Sequence, residues 1–287
     1  MRVTRTLIYW GTALLAALGA AAVDHAQSGG PIVVTGAWPL GDFARRLEGQ
    51  YAKPVTFETP LLLWRGHMRS HGLLPNGTEA LTFVTHSFVL PENAGIFDAP
   101  ALSVDLLSKV VKAYHQSNPG FPRYRVSQSQ MGFHIIPTEA RDESGALGPV
   151  QSVLDATVEV PVEKRTASEH AQALLDAVTR ATGIATVVEN PIDSLYAANG
   201  YLVRGDPAER SYMLFEWGAS GMSAREALID LLKNSATTTS WTLACIPDFQ
   251  HGNRQHCMIG FHALAVNGRV VFYDRCTKCR AVPTQGR

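Results

Sequence analysis

Apolar residues recur along this chain with two alternating spacings, and the alternation is itself repeated. Between residues 222 and 245, a segment with apolar residues three and four apart leads into a segment in which polar and apolar residues alternate. Ser223 and Glu226 have the spacing of a capping box, in which each side chain satisfies a backbone N–H of the first helical turn. This pattern predicts a helix, with Ala224, Leu228, Leu231 and Leu232 on its apolar face, that leads into a half-buried strand at Ser240–Leu243.

The same order of patterns begins near the N-terminal end. A short apolar strand at residues 32–34 precedes a helix that begins at Pro39, and an alternating strand at residues 54–58 ends at Thr59-Pro60. Residues 61–80 are predicted to form a loop, and residues 81–90 are rich in strand-forming residues. Ser103 caps a second predicted helix, which residues 118–120 end, and residues 124–136 have the pattern of a hairpin.

A second unit repeats this order from residue 157. A strand at residues 157–160 stops at Pro161, and a helix follows that is capped by Thr166 and Glu169 and ended by Gly183. A strand at residues 184–188 then ends in Glu189-Asn190-Pro191, as its counterpart ends in Glu58-Thr59-Pro60. After a longer stretch at 192–210 come a strand at 212–215, the helix and strand at 222–245, and a closing strand at 258–262. Gly260-Phe261-His262 echoes Gly132-Phe133-His134, which predicts matching hairpin positions for His134 and His262. Residues 270–273 add a final predicted strand.

The repetition predicts an α+β fold made of two tandem βαβ-βαββ units, with helices packed on small mixed sheets. The first unit covers residues 32–137 and the second covers residues 151–274. A polar, glycine-bearing linker at residues 138–150 joins them, and a cysteine-containing tail follows at residues 275–287.

Composition and charge narrow the class of protein. The 287 residues are 46% hydrophobic and 17% charged, which is typical of a folded globular chain. The 25 basic and 25 acidic residues balance, and no basic cluster indicates a nucleic-acid partner.

The N-terminus has the pattern of a signal peptide at residues 1–28. Arg2 and Arg5 precede an apolar run at residues 7–23, and Ala20-Ala21-Ala22 supplies small residues for cleavage. The alternative is an uncleaved membrane anchor, because the run approaches spanning length. Both alternatives predict a periplasmic or secreted protein, which the segment would attach to a membrane only if it is uncleaved.

All four cysteines lie in the last fifth of the chain, at Cys245, Cys257, Cys276 and Cys279. An even number in an exported protein favours disulfides, and Cys245 and Cys257 flank the tip of one predicted hairpin. Redox activity of Cys276 and Cys279 is disfavoured, because no helix begins at the pair. A zinc site made by the four cysteines with His251 and His256 stays open as an alternative, although paired knuckles are absent.

Other residue patterns give no catalytic or cofactor-binding site. His67 and His71 have helical spacing but are bracketed by glycines, so two exposed loop histidines are predicted. Asp142 and Glu143 are predicted to be solvated in the linker. The nucleophile elbow, the phosphate-binding loop and the dinucleotide-binding fingerprint are absent from the sequence. Three of the five tryptophans, Trp64, Trp217 and Trp241, are predicted to be mostly core or half-core residues.

Residues 157–262 resemble the short N-terminal domain shared by secretins and TonB-dependent receptors, and residues 32–136 resemble it more faintly. Three features carry the resemblance: the strand at 157–160 with the helix that ends at Gly183, the segment Ser223–Leu228 with Leu231-Leu232, and the strand at Trp241–Leu243. The resemblance implies two small βαβ halves and a docking or signalling role in the periplasm. It implies no catalytic residue.

We therefore expect a non-enzymatic protein-interaction module without a cofactor, which binds another cell-envelope protein through sheet edges or helix faces. The alternative is a periplasmic metal-binding or thiol-active protein that uses the C-terminal cysteines with His251 and His256.

Overall fold

The computed structural model describes residues 30–61, 64–73, 79–91, 95–190, 214–233, 238–248, 254–266 and 269–270. The first half contains β1 (Ile32–Gly36), α1 (Pro39–Tyr51), β2 (Val55–Glu58), β3 (Met68–Leu73), β4 (Glu79–Phe83), β5 (His86–Leu90), α2 (Val104–Ser117), β6 (Arg123–Gln128), β7 (Phe133–Arg141) and β8 (Leu147–Pro149). The second half contains β9 (Thr157–Arg165), α3 (Ala167–Thr182), β10 (Ala185–Asn190), β11 (Phe215–Ser223), α4 (Ala224–Lys233), β12 (Thr239–Asp248), β13 (Arg254–Ala263), β14 (Ala265–Val266) and β15 (Arg269–Val270). The fold is α+β, as the sequence predicts.

Local side-chain chemistry sets the predicted helix ends. The Ser103 hydroxyl accepts the Leu106 N–H at the start of α2, and Thr166 and Glu169 form a full capping box at the start of α3. Ser223 and Glu226 exchange the same pair of bonds at the start of α4. Gly183 ends α3 in the left-handed region, with φ of 72°.

The two halves have the same construction. Each has a two-stranded antiparallel ribbon, β1 with β5 or β9 with β11, and a three-stranded sheet, β2-β7-β6 or β10-β13-β12. Two helices complete the apolar core of each half, α1 and α2 in the first and α3 and α4 in the second. The predicted tandem βαβ-βαββ order is confirmed.

The two three-stranded sheets join into one, in the order β10-β13-β12-β2-β7-β6. The joining strands β12 and β2 run parallel, and Leu243 lies beside Glu58. Leu243 faces the core of the second half, whereas Phe57, the neighbour of Glu58, faces the core of the first. Because neighbouring residues of a strand point to opposite faces, the two helix pairs lie on opposite faces of the shared sheet. The halves are thus related by a half-turn about an axis that crosses the strands, combined with a shift along it.

Three segments differ from the sequence-based expectation. β9 continues through Pro161 to Arg165, because the register with β11 shifts between Trp217 and Ala219 and the bulge accommodates the proline. The predicted loop at 61–80 contains a 3₁₀ turn, β3 and the start of β4. Residues 138–150 form the end of β7 and β8, which pair as a hairpin.

Several predicted segments, among them the strands at 212–215 and 270–273, fall partly or wholly outside the described residues. The leader at residues 1–28 and the tail at 275–287 are outside, as are residues 191–213. Strand β11 is described from Phe215. No helix within the described ranges combines the length and apolarity that crossing a membrane requires.

Candidate interaction surface

The joint between the halves is the most elaborate polar arrangement in the described part of the chain. The Thr59 N–H donates to the Leu243 carbonyl at 2.8 Å, and the Cys245 N–H donates to the Thr59 hydroxyl at 2.7 Å. These bonds extend the pairing of β2 with β12 beyond the end of β2. The joint is therefore made by an edge strand of each half.

An ion cluster locks this joint from one face. Arg225, in the first turn of α4, donates from Nε and Nη2 to the two carboxylate oxygens of Glu58, both at 2.7 Å. Its Nη1 donates to Asp155 Oδ1 at 2.5 Å. Glu58 is fully buried, and Arg225 supplies the positive counter-charge that a buried carboxylate requires. Burial alone would lower the pKa of Arg225, but the bonds to Glu58 and Asp155 outweigh burial and raise it.

Two histidines also span the joint. His134 lies buried between the Thr56 hydroxyl, 2.9 Å from Nδ1, and the Ser129 hydroxyl, 2.8 Å from Nε2, and its ring stacks on Trp241 of the other half. Burial, reinforced by the positive charge of Arg225, lowers the pKa of His134 to about 4. His262 contacts Glu48 of α1, with 2.7 Å between Nε2 and Oε2.

These positions correct the predicted equivalence of the two histidines, although both have structural roles. His134 pairs with Thr56 within the β2–β7 ladder, whereas His262 lies beyond Gly260, the last residue of the β10–β13 ladder. The shared Gly-Phe-His triplet therefore occupies different registers in the two halves.

The outer edges of the shared sheet are β10 and β6, and no strand in the described part of the chain pairs with either outer edge. β10 corresponds to β2 as far as Val188, and beyond it the register of β10 with β13 shifts between Val188 and Asn190. The Val55 N–H donates to Glu48 Oε1 at 2.8 Å, and the Thr186 N–H donates to Thr179 Oγ1 at 3.0 Å. Donor and acceptor are each 131 residues later in the second half, since 186 − 55 = 179 − 48 = 131. The same offset places Glu189 at the position of Glu58. Glu189 is exposed, as is Val187, at 42%.

Further exposed apolar residues lie on the two ribbons. Val33 and Val89 are direct cross-strand partners with 58% and 46% exposure, and Val162 on β9 is 72% exposed. Isolated exposed valines are common on soluble proteins. They mark strand surfaces here but do not form a large patch.

A shallow cleft of aromatic and histidine residues lies in the first half. Phe121 is stacked between His86, 3.9 Å away by ring centroids, and His67, 4.9 Å away, and Trp64 meets His67 edge-on. The prediction of an exposed His67 is wrong, because the 3₁₀ turn before β3 carries this ring under Trp64. His71 is exposed, as predicted.

The electrostatics of this cleft favour neutral rings. Burial lowers the pKa of His86 to about 4 and also lowers that of His67. Among the described residues that line the cleft, none is a carboxylate, hydroxyl or thiol. Among the described residues of the lining, the imidazoles of His67 and His86 are therefore the groups that could exchange a proton.

The cysteines match the predicted hairpin disulfide. Cys245 and Cys257 are directly opposite in the β12–β13 ladder and are bonded through their sulfurs on the buried face. As a disulfide, they are not available as thiolate ligands. His256 lies beside Cys257 on β13, half-buried, whereas His251, Cys276 and Cys279 lie outside the described residues. Within the described ranges, no group of three or more His, Cys, Asp or Glu side chains is arranged to hold a metal ion.

The remaining singled-out residues have structural or solvated positions. Trp241 and Trp217 are buried and Trp64 is half-buried, as predicted. Glu143 is exposed, and Asp142 accepts the Ser144 hydroxyl and the Ala146 N–H in the tip of the β7–β8 hairpin. Sequence reasoning missed Glu58 and Arg225, although the Glu58-Thr59-Pro60 terminator singled out one of the two.

Comparison with known proteins found no matching family model, no matching curated protein and no matching solved structure.

Proposed function

We propose that this protein is an exported, non-enzymatic interaction module that binds another cell-envelope protein by strand addition at an edge of its shared sheet. One observation carries the proposal. The chain joins its own halves by adding the edge strand β12 to β2, and it presents the corresponding strand, β10, at the outer edge. An exposed edge strand is a template for pairing with another chain.

The polar side chains of the joint have structural partners. Arg225 pairs with Glu58 and Asp155, and His134 lies between Thr56 and Ser129. The cleft in the first half is lined by aromatic, histidine and aliphatic side chains together with Pro122. The exported location is inferred from the leader pattern at residues 1–28 and from the clustered cysteines.

Affinity capture from crosslinked cell-envelope extract tests this proposal, with the oxidised chain without residues 1–28 as bait. Val187→Lys places a charge on the β10 face that an added strand must share, and Val162→Lys makes the same change on the exposed face of β9. We expect the unmodified bait and Val162→Lys to capture the same stoichiometric partner and Val187→Lys to lose it. Equal capture by all three baits, or no stoichiometric partner at all, would contradict the proposal.

A further inference from the structure

We propose that the outer edge of β10 accepts a strand from a different protein, that this strand runs parallel to β10, and that it brings a basic side chain onto Glu189. We further infer that the acidic first turn of α2 prevents a second copy of this chain from taking that place. The inference rests on the proposed function and names the chemistry of the partner.

The internal joint supplies the template. There, β12 lies parallel to β2, and the first turn of the preceding helix α4 places Arg225 on Glu58 with two bonds of 2.7 Å. Glu189 takes the position on β10 that Glu58 has on β2, because the equivalent bonds of the Val55 and Thr186 N–H groups align the two strands. An added strand with the same geometry would bury Glu189, and a buried carboxylate requires a cationic partner.

The strand order of the shared sheet would allow the same joint to form again between two copies of the chain. The strand orders β10-β13-β12 and β2-β7-β6 run in the same sense across the sheet, so each half contributes unlike edges to the joint. Such head-to-tail contacts do not close on themselves and can in principle continue into a filament. In a second copy, β6 would take the place that β12 takes against β2.

At the contact between two copies, the facing charges would both be negative and would repel each other. Ser103 and Ser223 are the N-cap residues of α2 and α4, and the second residue after each cap is Asp105 in α2 and Arg225 in α4. Asp105 is exposed, and no residue in the first turn of α2 is basic. Arg125 on β6 does not compensate, because its neighbours Tyr124 and Val126 face the core and it therefore points to the other face. Two carboxylates, Asp105 and Glu189, would face each other.

The like charges at this contact predict the assembly state of four proteins: the unmodified chain, two single variants and their double variant. No partner protein is needed for this test. We expect the unmodified chain to stay monomeric in sedimentation velocity over a concentration series. Asp105→Arg and Glu189→Arg each create one opposite-charge pair, so each should form dimers and longer species that dissociate in high salt. The double variant restores like charges, now both positive, and should be monomeric again.

Two further measurements identify the edge and keep the result interpretable. Circular dichroism and thermal melting establish that each variant is folded. Hydrogen exchange should show new amide protection in β10 in the assembled Asp105→Arg chain. The proposal is overturned if the folded single variants stay monomeric, if the unmodified chain or the double variant assembles as they do, or if β10 gains no protection.

The partner is tested separately by the envelope capture. The double variant Asp105→Arg/Glu189→Arg, which is expected to stay monomeric, should lose the captured protein, whereas Glu143→Arg, a charge reversal in the exposed tip of the β7–β8 hairpin, should retain it. Retention by the double variant would overturn the basic-partner rule. Failure to capture any protein would count against the proposed function, but it would leave the assembly result of the four chains intact.

Discussion

At the scale of single residues, His134 shows how a polar ring is held inside the joint. Both ring nitrogens have hydroxyl partners, Thr56 and Ser129, and the ring face lies on Trp241. Hydroxyl groups can either donate or accept, so they satisfy a neutral imidazole without a charge. Arg225 adds a nearby positive charge that disfavours protonation further.

Acidification should therefore weaken the fold through His134. Its folded-state pKa of about 4 lies below the value of 6.5 expected in the unfolded chain, so the unfolded chain binds the proton first. The stabilisation is fully present above pH ~6.5, and about 3 kcal/mol is lost as the pH falls towards about 4. Urea unfolding at a series of pH values measures this loss.

The comparison variant is His134→Gln, which keeps a polar group but does not titrate. We expect its free energy of unfolding to decline less than that of the unmodified chain across the same pH interval. Parallel curves for the two proteins would show that His134 does not contribute to the acid sensitivity.

At the scale of elements, the strands and helices form where local chemistry agrees with packing. The caps at Ser103, Thr166 and Ser223 lie where the sequence predicts them, because a cap needs only residues three positions apart. The sequence pattern predicts that a strand ends at Pro161, since proline cannot donate to a ladder. Within the described ranges β9 pairs with β11 alone, and its bulge removes the need for that donor.

The β12–β13 hairpin should depend on its disulfide. The bond joins residues 12 apart, and closing such a loop stabilises a protein by about 3 kcal/mol in the chain-entropy estimate. We expect reduction to lower the free energy of unfolding by about that amount in a Cys276→Ala/Cys279→Ala background, which removes the other cysteines. Denaturant titration with and without reductant measures the difference.

Non-reducing peptide mapping serves as the control for this experiment, because it shows directly whether Cys245 and Cys257 are joined before reduction. A chain whose mapped disulfide is intact but whose stability does not change on reduction would contradict the prediction.

At the scale of the whole molecule, the shared sheet makes the two halves structurally interdependent. The order of elements within each half follows from periodicity and turn residues, so the sequence predicts it. The contact of Glu58 with Arg225 does not follow, because it joins residues 167 apart in the chain and depends on register rather than on pattern. His67 fails for a related reason, because its burial depends on Trp64 and Phe121 rather than on the glycines beside it.

Removal of Arg225 should destabilise the whole molecule. Arg225→Met leaves Glu58 buried without its counter-charge, and breaking a buried pair in this way costs about 3–5 kcal/mol. The double variant Arg225→Met/Glu58→Leu removes both charges and should recover a large part of the loss. Denaturant unfolding of the three proteins measures both effects.

Lys233→Met is the matched control, because Lys233 lies in the same helix and pairs with Asp230 at the surface, at 3.3 Å. A surface pair of this kind contributes about 1 kcal/mol or less. The buried character of the Glu58 pair would be contradicted if Arg225→Met and Lys233→Met had equal effects, or if the double variant were no more stable than Arg225→Met.

The parallel contact between β2 and β12 also sets an order of events during synthesis. β2 is made early, but its partner strand and the arginine that neutralises Glu58 are encoded more than 160 residues later. Until they emerge, the growing chain carries an unpaired strand edge, and contacts between residues so far apart in sequence form slowly. We therefore expect a chain that ends after the first half to aggregate more readily than the whole protein.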